Sequence, residues 1–295
     1  MVRGPALLLS LVVATGCGRT AIYGGFGGDE GIGEAGDPDD DEPPGPVDCD
    51  KVDFLFVIDN SGSMYDHQVN LIENFEVITA GVDRVIEGRT DLHVGVVSTD
   101  IYAGNPFECQ TIGGLVNHPS GAHSSDRECG PWAAGRYMTN ADDIDDGFAC
   151  AAQLGTTGST IERPMDAMLA AIEDDGPASE CNAGFLRDDA LLVTVVVTDE
   201  WDGPGDPEDD GSWTGPELWT RGLVDAKGSD ASYAVVMLVN EERGQCRPGH
   251  VEHDGHVLAE WAESQPFGFV GSICGDYGES FSQAVDVVAA ACAGE

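Results

Sequence analysis

From about residue 49 onward, short and nearly continuous apolar runs alternate with segments whose apolar residues recur every three or four positions. The runs Val52 to Ile58, Leu92 to Ser98, Ala190 to Thr198, Tyr233 to Val239 and Phe267 to Ile273 are rich in β-branched and aromatic residues and predict strands. Ala190 to Thr198 has almost no polar position, as expected of a central strand covered on both faces. Between the runs, Leu71, Phe75, Ile78, Val82 and Val85 fall on one face of a helix that ends near Gly88. Ile161, Met165, Met168 or Leu169, and Ile172 mark a second helix, with Pro164 tolerated in its first turn. Further helices open at Pro216, carry Val257, Leu258 and Trp261, and place Phe281, Val285 and Val288 together. Strand and helix in alternation predict an α/β fold: a doubly wound, mostly parallel sheet with helices on both faces. One stretch, Thr99 to about Gln153, breaks the rhythm with Gly, Pro, Asn and three cysteines, and reads as a disulfide-pinned insertion.

The first 47 residues have a different texture. Residues 1–17 combine an early Arg3, a short apolar run from Ala6 to Ala14, and Ala14-Thr15-Gly16-Cys17. That run is too short to span a bilayer and reads as a signal peptide with a lipobox-like end, at which Cys17 would be acylated and become the new N-terminus. Residues 18–47 are rich in Gly, Pro, Asp and Glu and too poor in apolar residues to fold, so they read as a tether. Residues 48–295 are then one domain. The expected location is the cell envelope, as an exported, membrane-anchored lipoprotein, with plain secretion as the alternative.

Charge narrows the partners. Thirteen Lys and Arg against 54 Asp and Glu leave a formal net charge of −41, which repels nucleic-acid phosphates and attracts cations. Apart from Cys17, eight cysteines remain: Cys49, Cys109, Cys129, Cys150, Cys181, Cys246, Cys274 and Cys292. None has zinc-site spacing, and an even number in an exported chain predicts disulfides whose pairing the sequence leaves open. The acidic run Asp202 to Asp210 lacks the order of a calcium loop and reads as solvated.

In a doubly wound sheet, ligands bind where loops leave the carboxyl ends of the strands. The first strand ends in Asp59-Asn60-Ser61-Gly62-Ser63 and the central strand in Thr198-Asp199. A hard cation such as Mg²⁺ takes about six oxygen ligands, so two carboxylates with hydroxyls and water suit it. In a tight loop the alternate residues Asp59, Ser61 and Ser63 point to a common centre, and Asp199 adds a carboxylate from the neighbouring strand.

These residues, in this order on this strand pattern, resemble the metal-ion-dependent adhesion site of von Willebrand factor A domains. The resemblance implies that Asp59, Ser61, Ser63, Asp199 and a threonine from a third loop hold a divalent cation. Mg²⁺ is the expected ion, with Mn²⁺ and Ca²⁺ as alternatives, and the open position takes an acidic group of a protein partner. Gly155-Thr156-Thr157-Gly158-Ser159-Thr160 offers three threonines. The stretch Phe148 to Glu162, with Thr198 to Asp202 and Ser272 to Tyr277, is also similar to exported myxobacterial-type lipoproteins of this fold. There the threonine sits in a Gly-Thr pair, which points to Thr156, with Thr160 as the fallback. The function implied is a non-enzymatic adhesion module. The rival is a metal-dependent hydrolase or phosphotransferase, but an aspartyl nucleophile at Asp59 would need a second acid two residues on, where this chain has Ser61.

Overall fold

The computed structural model describes residues 48–85, 88, 90–200, 202, 211–240 and 255–294. The signal-like segment with Cys17, the linker 18–47, residues 203–210 and Cys246 lie outside the described residues. The elements are β1 (Asp48–Ile58), α1 (Tyr65–Val85), β2 (Asp91–Ser98), β3 (Met138–Thr139), α2 (Ile144–Ala152), α3 (Pro164–Ile172), β4 (Ala190–Val197), α4 (Pro216–Lys227), β5 (Tyr233–Val239), α5 (His256–Glu263), β6 (Gly268–Ser272) and α6 (Tyr277–Ala293). The strands form one six-stranded sheet in the order β3-β2-β1-β4-β5-β6, parallel except for the antiparallel edge strand β3. The expected α/β doubly wound architecture is therefore present. Among the described residues no helix is long and apolar enough to cross a membrane.

Side-chain alternation explains the two layers. From β1, Val52, Phe54, Phe56 and Ile58 enter one core with Leu71, Phe75 and Ile78 of α1, Phe148 of α2 and Phe281 of α6. Leu55 and Val57 enter the other, with Met165 and Met168 of α3, Trp219 of α4 and Trp261 of α5. Every residue of β4 and β5 is buried, so a run without polar alternation is a strand with helices on both sides. Asp53 is fully buried on β1 and is held by Arg187, whose backbone N–H donates at 2.7 Å and Nε at 2.8 Å. Burial still pushes the Asp53 carboxyl above its ordinary range, with the Arg187 charge opposing.

The insertion is pinned as expected and is more ordered than its composition suggests. Cys129–Cys150 closes it internally, Cys109–Cys181 ties it to the segment after α3, and Cys49–Cys292 joins β1 to α6. Cys274 is also disulfide-bonded. The insertion contains α2, whose Asp143 caps the helix by accepting from Asp146 N, and whose Phe148 stacks on Phe75 with ring centroids 3.7 Å apart. Two expectations are corrected. Ile161 precedes α3 and is 48% exposed, because the helix starts at Pro164, where the ring supplies the helical φ. Asp202 is not solvated: it is fully buried, accepting from Ser212 N and Oγ and from Met165 N at the start of α3.

Candidate functional site

Strand register brings the candidate loops to one level. Ile58 of β1 pairs with Ser98 of β2 on one side and Val197 of β4 on the other, so Asp59, Thr99 and Thr198 are the next residues of three adjacent strands. The chain winds outward from β1 to β2 in one direction and from β4 to β6 in the other. The carboxyl ends of β1 and β4 are therefore the topological switch point, where a doubly wound sheet leaves a crevice.

Asp59 is fully buried there. Its Oδ1 accepts from Ser61 N at 2.7 Å, which folds the loop back on itself, and its Oδ2 accepts from Thr198 Oγ1 at 2.6 Å. Ser61 Oγ and Ser63 Oγ lie 3.2 Å apart. Asp199 is 2% exposed, and among the described residues its Oδ1 has no hydrogen-bond partner. Burial and then the charge of Asp199 push the Asp59 carboxyl up to about 7. Tyr277, fully buried at the start of α6, is driven upward by burial and by the same Asp199 charge. The leading charges that act on Asp59 and on Glu162 are those of carboxylates, Asp199 on the first and Asp59, Asp100 and Glu200 on the second.

The threonine loop is fastened to this centre by a residue that sequence reasoning missed. Gln68, buried on α1, donates through Nε2 to Asp59 O and Gly155 O, both at 2.9 Å, and accepts from Gly155 N at 3.1 Å. Gly155 has φ +91°, which allows the loop to turn beneath that amide. Gly158 N donates to Asn60 O at 3.0 Å, and a Cβ on Gly158 would stand 2.3 Å from Asn60 Oδ1, so the two loops touch backbone to backbone. Thr156, next to the clamped Gly155, is half-buried, with Oγ1 2.8 Å from His123 Nδ1; Thr157 and Thr160 are exposed. The signal for Gln68 was present, because it occupies an apolar-face position between Met64 and Leu71.

Glu162 also belongs to the neighbourhood. It is 2% exposed, Thr99 Oγ1 donates to its Oε2, and among the described residues its Oε1 has no hydrogen-bond partner. Burial, then the charges of Asp59, Asp100 and Glu200, push it up to about 9. Among the described residues, no three His, Cys, Asp or Glu side chains are grouped so as to hold a metal by themselves. An ion at this crevice must draw on hydroxyls as well as carboxylates. The donor set fits that requirement: two hydroxyls side by side, a neighbouring pair of buried carboxylates, and an Asp199 oxygen without a hydrogen-bond partner among the described residues.

No family model matches the chain, and no curated protein matches it. Among solved structures it is similar to a von Willebrand factor type A protein from Catenulispora acidiphila, at 16% identity and a TM-score of 0.39, over 82% of this chain and 42% of that one. It is also similar to the pilus adhesin SpaC from Lactobacillus rhamnosus GG in its open conformation, at 12% identity and a TM-score of 0.41, over 81% of this chain and 30% of that one. The chain thus spans less than half the length of either structure.

Proposed function

We propose that the chain is a non-enzymatic binding module that holds a divalent cation through Asp59, Ser61, Ser63, Thr156 and Asp199 and engages an acidic group on a protein partner. The observation that carries this reading is Asp199, a buried carboxylate with an oxygen left without a hydrogen-bond partner among the described residues, whose charge raises the pKa of a second buried carboxylate. Two such groups repel and are costly to bury, and a cation between them removes both costs. Mg²⁺ is the ion we assign first, since it supplies a positive centre with an exchangeable position for a carboxylate. Within the protein, Asp59 orients the serine loop through Ser61 N, Thr198 fixes the Asp59 rotamer, and Gln68 holds Gly155 so that Thr156 stays beside the loop. The surrounding charge of −41 raises the local cation concentration and repels acidic ligands, so capture of an acidic partner would depend on the ion.

The test is calorimetric titration of Mg²⁺, Mn²⁺ and Ca²⁺ into the folded chain and into a Ser61→Ala, Ser63→Ala variant. Saturable binding that the variant loses supports the site, and equal binding by both refutes it. Metal-dependent turnover of generic phosphate or ester substrates would overturn the non-enzymatic reading. We further propose that the module is displayed at the cell envelope through a lipid on Cys17. Mass spectrometry of the membrane fraction should find that acylation, and Cys17→Ala should release the protein; an unmodified Cys17 would refute it.

A further inference from the structure

We propose that a groove between α3 and α4, separate from the cation site, binds a basic side chain with a long aliphatic stem, Lys or Arg, presented by a partner protein. The groove encloses about 510 Å³. Its apolar lining includes Leu169 and Ile172 of α3 and Ala226 of α4, which suits methylene groups and not a solvated ion.

One wall is Trp213, whose side chain is 70% exposed. The backbone that carries it is fixed. Trp213 N donates to Asp166 Oδ2 at 2.9 Å, Thr214 Oγ1 donates to Asp166 Oδ1 at 2.6 Å, and Asp166 N in turn donates to Ser212 Oγ at 3.0 Å. The guanidinium of Arg163 stands 5.0 Å from the indole centroid. An exposed tryptophan on a restrained backbone has little ordering entropy left to lose, which is the condition of a binding anchor.

The rim selects the sign of the ligand. Glu173, Asp174 and Asp225 line the groove and are exposed, and among the described residues their carboxylates make no ion pair or hydrogen bond. Glu173 and Asp174 directly follow Ile172, the last residue of α3, where the helix presents its free carbonyls and the negative end of its dipole. Among the described residues that line the groove, Arg163 is the one basic residue, and it is already placed over the indole. An acidic or neutral apolar ligand would leave three carboxylates uncompensated. A Lys or Arg side chain lays its stem on the floor and along the indole, and its cationic head at the acidic rim.

The test uses the full chain and three short peptides that differ at one central position: Leu-Lys-Leu, Leu-Arg-Leu and Leu-norleucine-Leu, each blocked at both ends. Isothermal titration should give saturable binding of the Lys and Arg peptides, and at least tenfold weaker binding of the norleucine peptide. Trp213→Ala should weaken the Lys peptide at least tenfold, and so should the Glu173→Gln, Asp174→Asn, Asp225→Asn variant; circular dichroism should confirm that both variants remain folded. EDTA and the Ser61→Ala, Ser63→Ala variant should leave this binding unchanged, which separates it from the cation site. Absence of saturation, equal binding of norleucine, or equal binding by the Trp213 variant would overturn the proposal. The last of these outcomes would reduce the effect to general attraction toward an acidic protein.

Discussion

Stripped of divalent cations with EDTA, the domain should lose stability as the pH rises from about 4 to about 8. An unfolded aspartate titrates near 4, whereas burial and the Asp199 charge push Asp59 up to about 7 in the folded chain. Below about 4 both states hold the proton and there is no cost. Between about 4 and about 7 the unfolded chain releases it while the folded chain retains it, so stability falls; above about 7 the folded carboxyl ionises as well and the loss is complete. The interval corresponds to ~4 kcal/mol, or ~8–16 °C in Tm for a domain of this size. Glu162, pushed up to about 9, extends the decline in the same direction. A cation held there as proposed would remove the cause, so saturating Mg²⁺ should raise Tm far more at about pH 8 than at about pH 5. The assay is differential scanning calorimetry across that range, with EDTA and with Mg²⁺, on the wild type and on Asp59→Asn, which retains the acceptor for Ser61 N and removes the charge. The reasoning is refuted if both proteins show the same pH slope in EDTA, or if Mg²⁺ raises Tm equally in both.

Three further outcomes are expected. Gln68→Leu deletes three buried hydrogen bonds and strands the Gly155 amide; urea titration should show a loss of ~2–4 kcal/mol, and calorimetry a weaker affinity for Mg²⁺. Arg187→Ala removes the guanidinium that pairs with the buried Asp53 carboxylate and leaves only the backbone N–H donor at that position, and the same titration should register a loss of ~3 kcal/mol at neutral pH. Replacing Cys49 and Cys292 together with serine opens a closure spanning 243 residues, for which loop entropy gives ~5 kcal/mol; an unchanged denaturation midpoint under oxidising conditions would contradict that pairing.

Most of the fold was legible because its signals are local and redundant. Tyr233–Val239 coincides with its apolar run, and Pro216 opens α4 as a first-turn proline should. At the Asp59 carboxylate the bonds are local, to Ser61 N in the same loop and to Thr198 just past the adjacent strand, whereas Gln68 and Gly158 reach the loop's backbone from other elements. What escaped depends on contacts distant in sequence. Helix α2 sits between glycine-rich and cysteine-rich segments, and its place is fixed by Phe148 packing on Phe56 and Phe75, which belong to other elements. Gln68 and Gly155 are 87 residues apart, and only the folded chain reveals that a glutamine in an apolar stripe is fully satisfied. Asp202 misled because it belongs to an acidic run, while its burial depends on Ser212 and the start of α3. Trp213 and the α3–α4 groove had no linear signature at all.

The bond between Cys49 and Cys292 also bears on how the domain would carry a mechanical load. Tension that enters at Cys49 and leaves at Asp59 runs along β1, which is hydrogen-bonded to parallel strands on both sides from Val52 to Ile58. Pulled from its two ends, such a strand can leave only by sliding, so its ladder bonds share the force instead of opening one after another. The disulfide passes part of that tension directly into the last turn of α6, so an inner strand and the helix bonded to it resist extension as a single covalent unit.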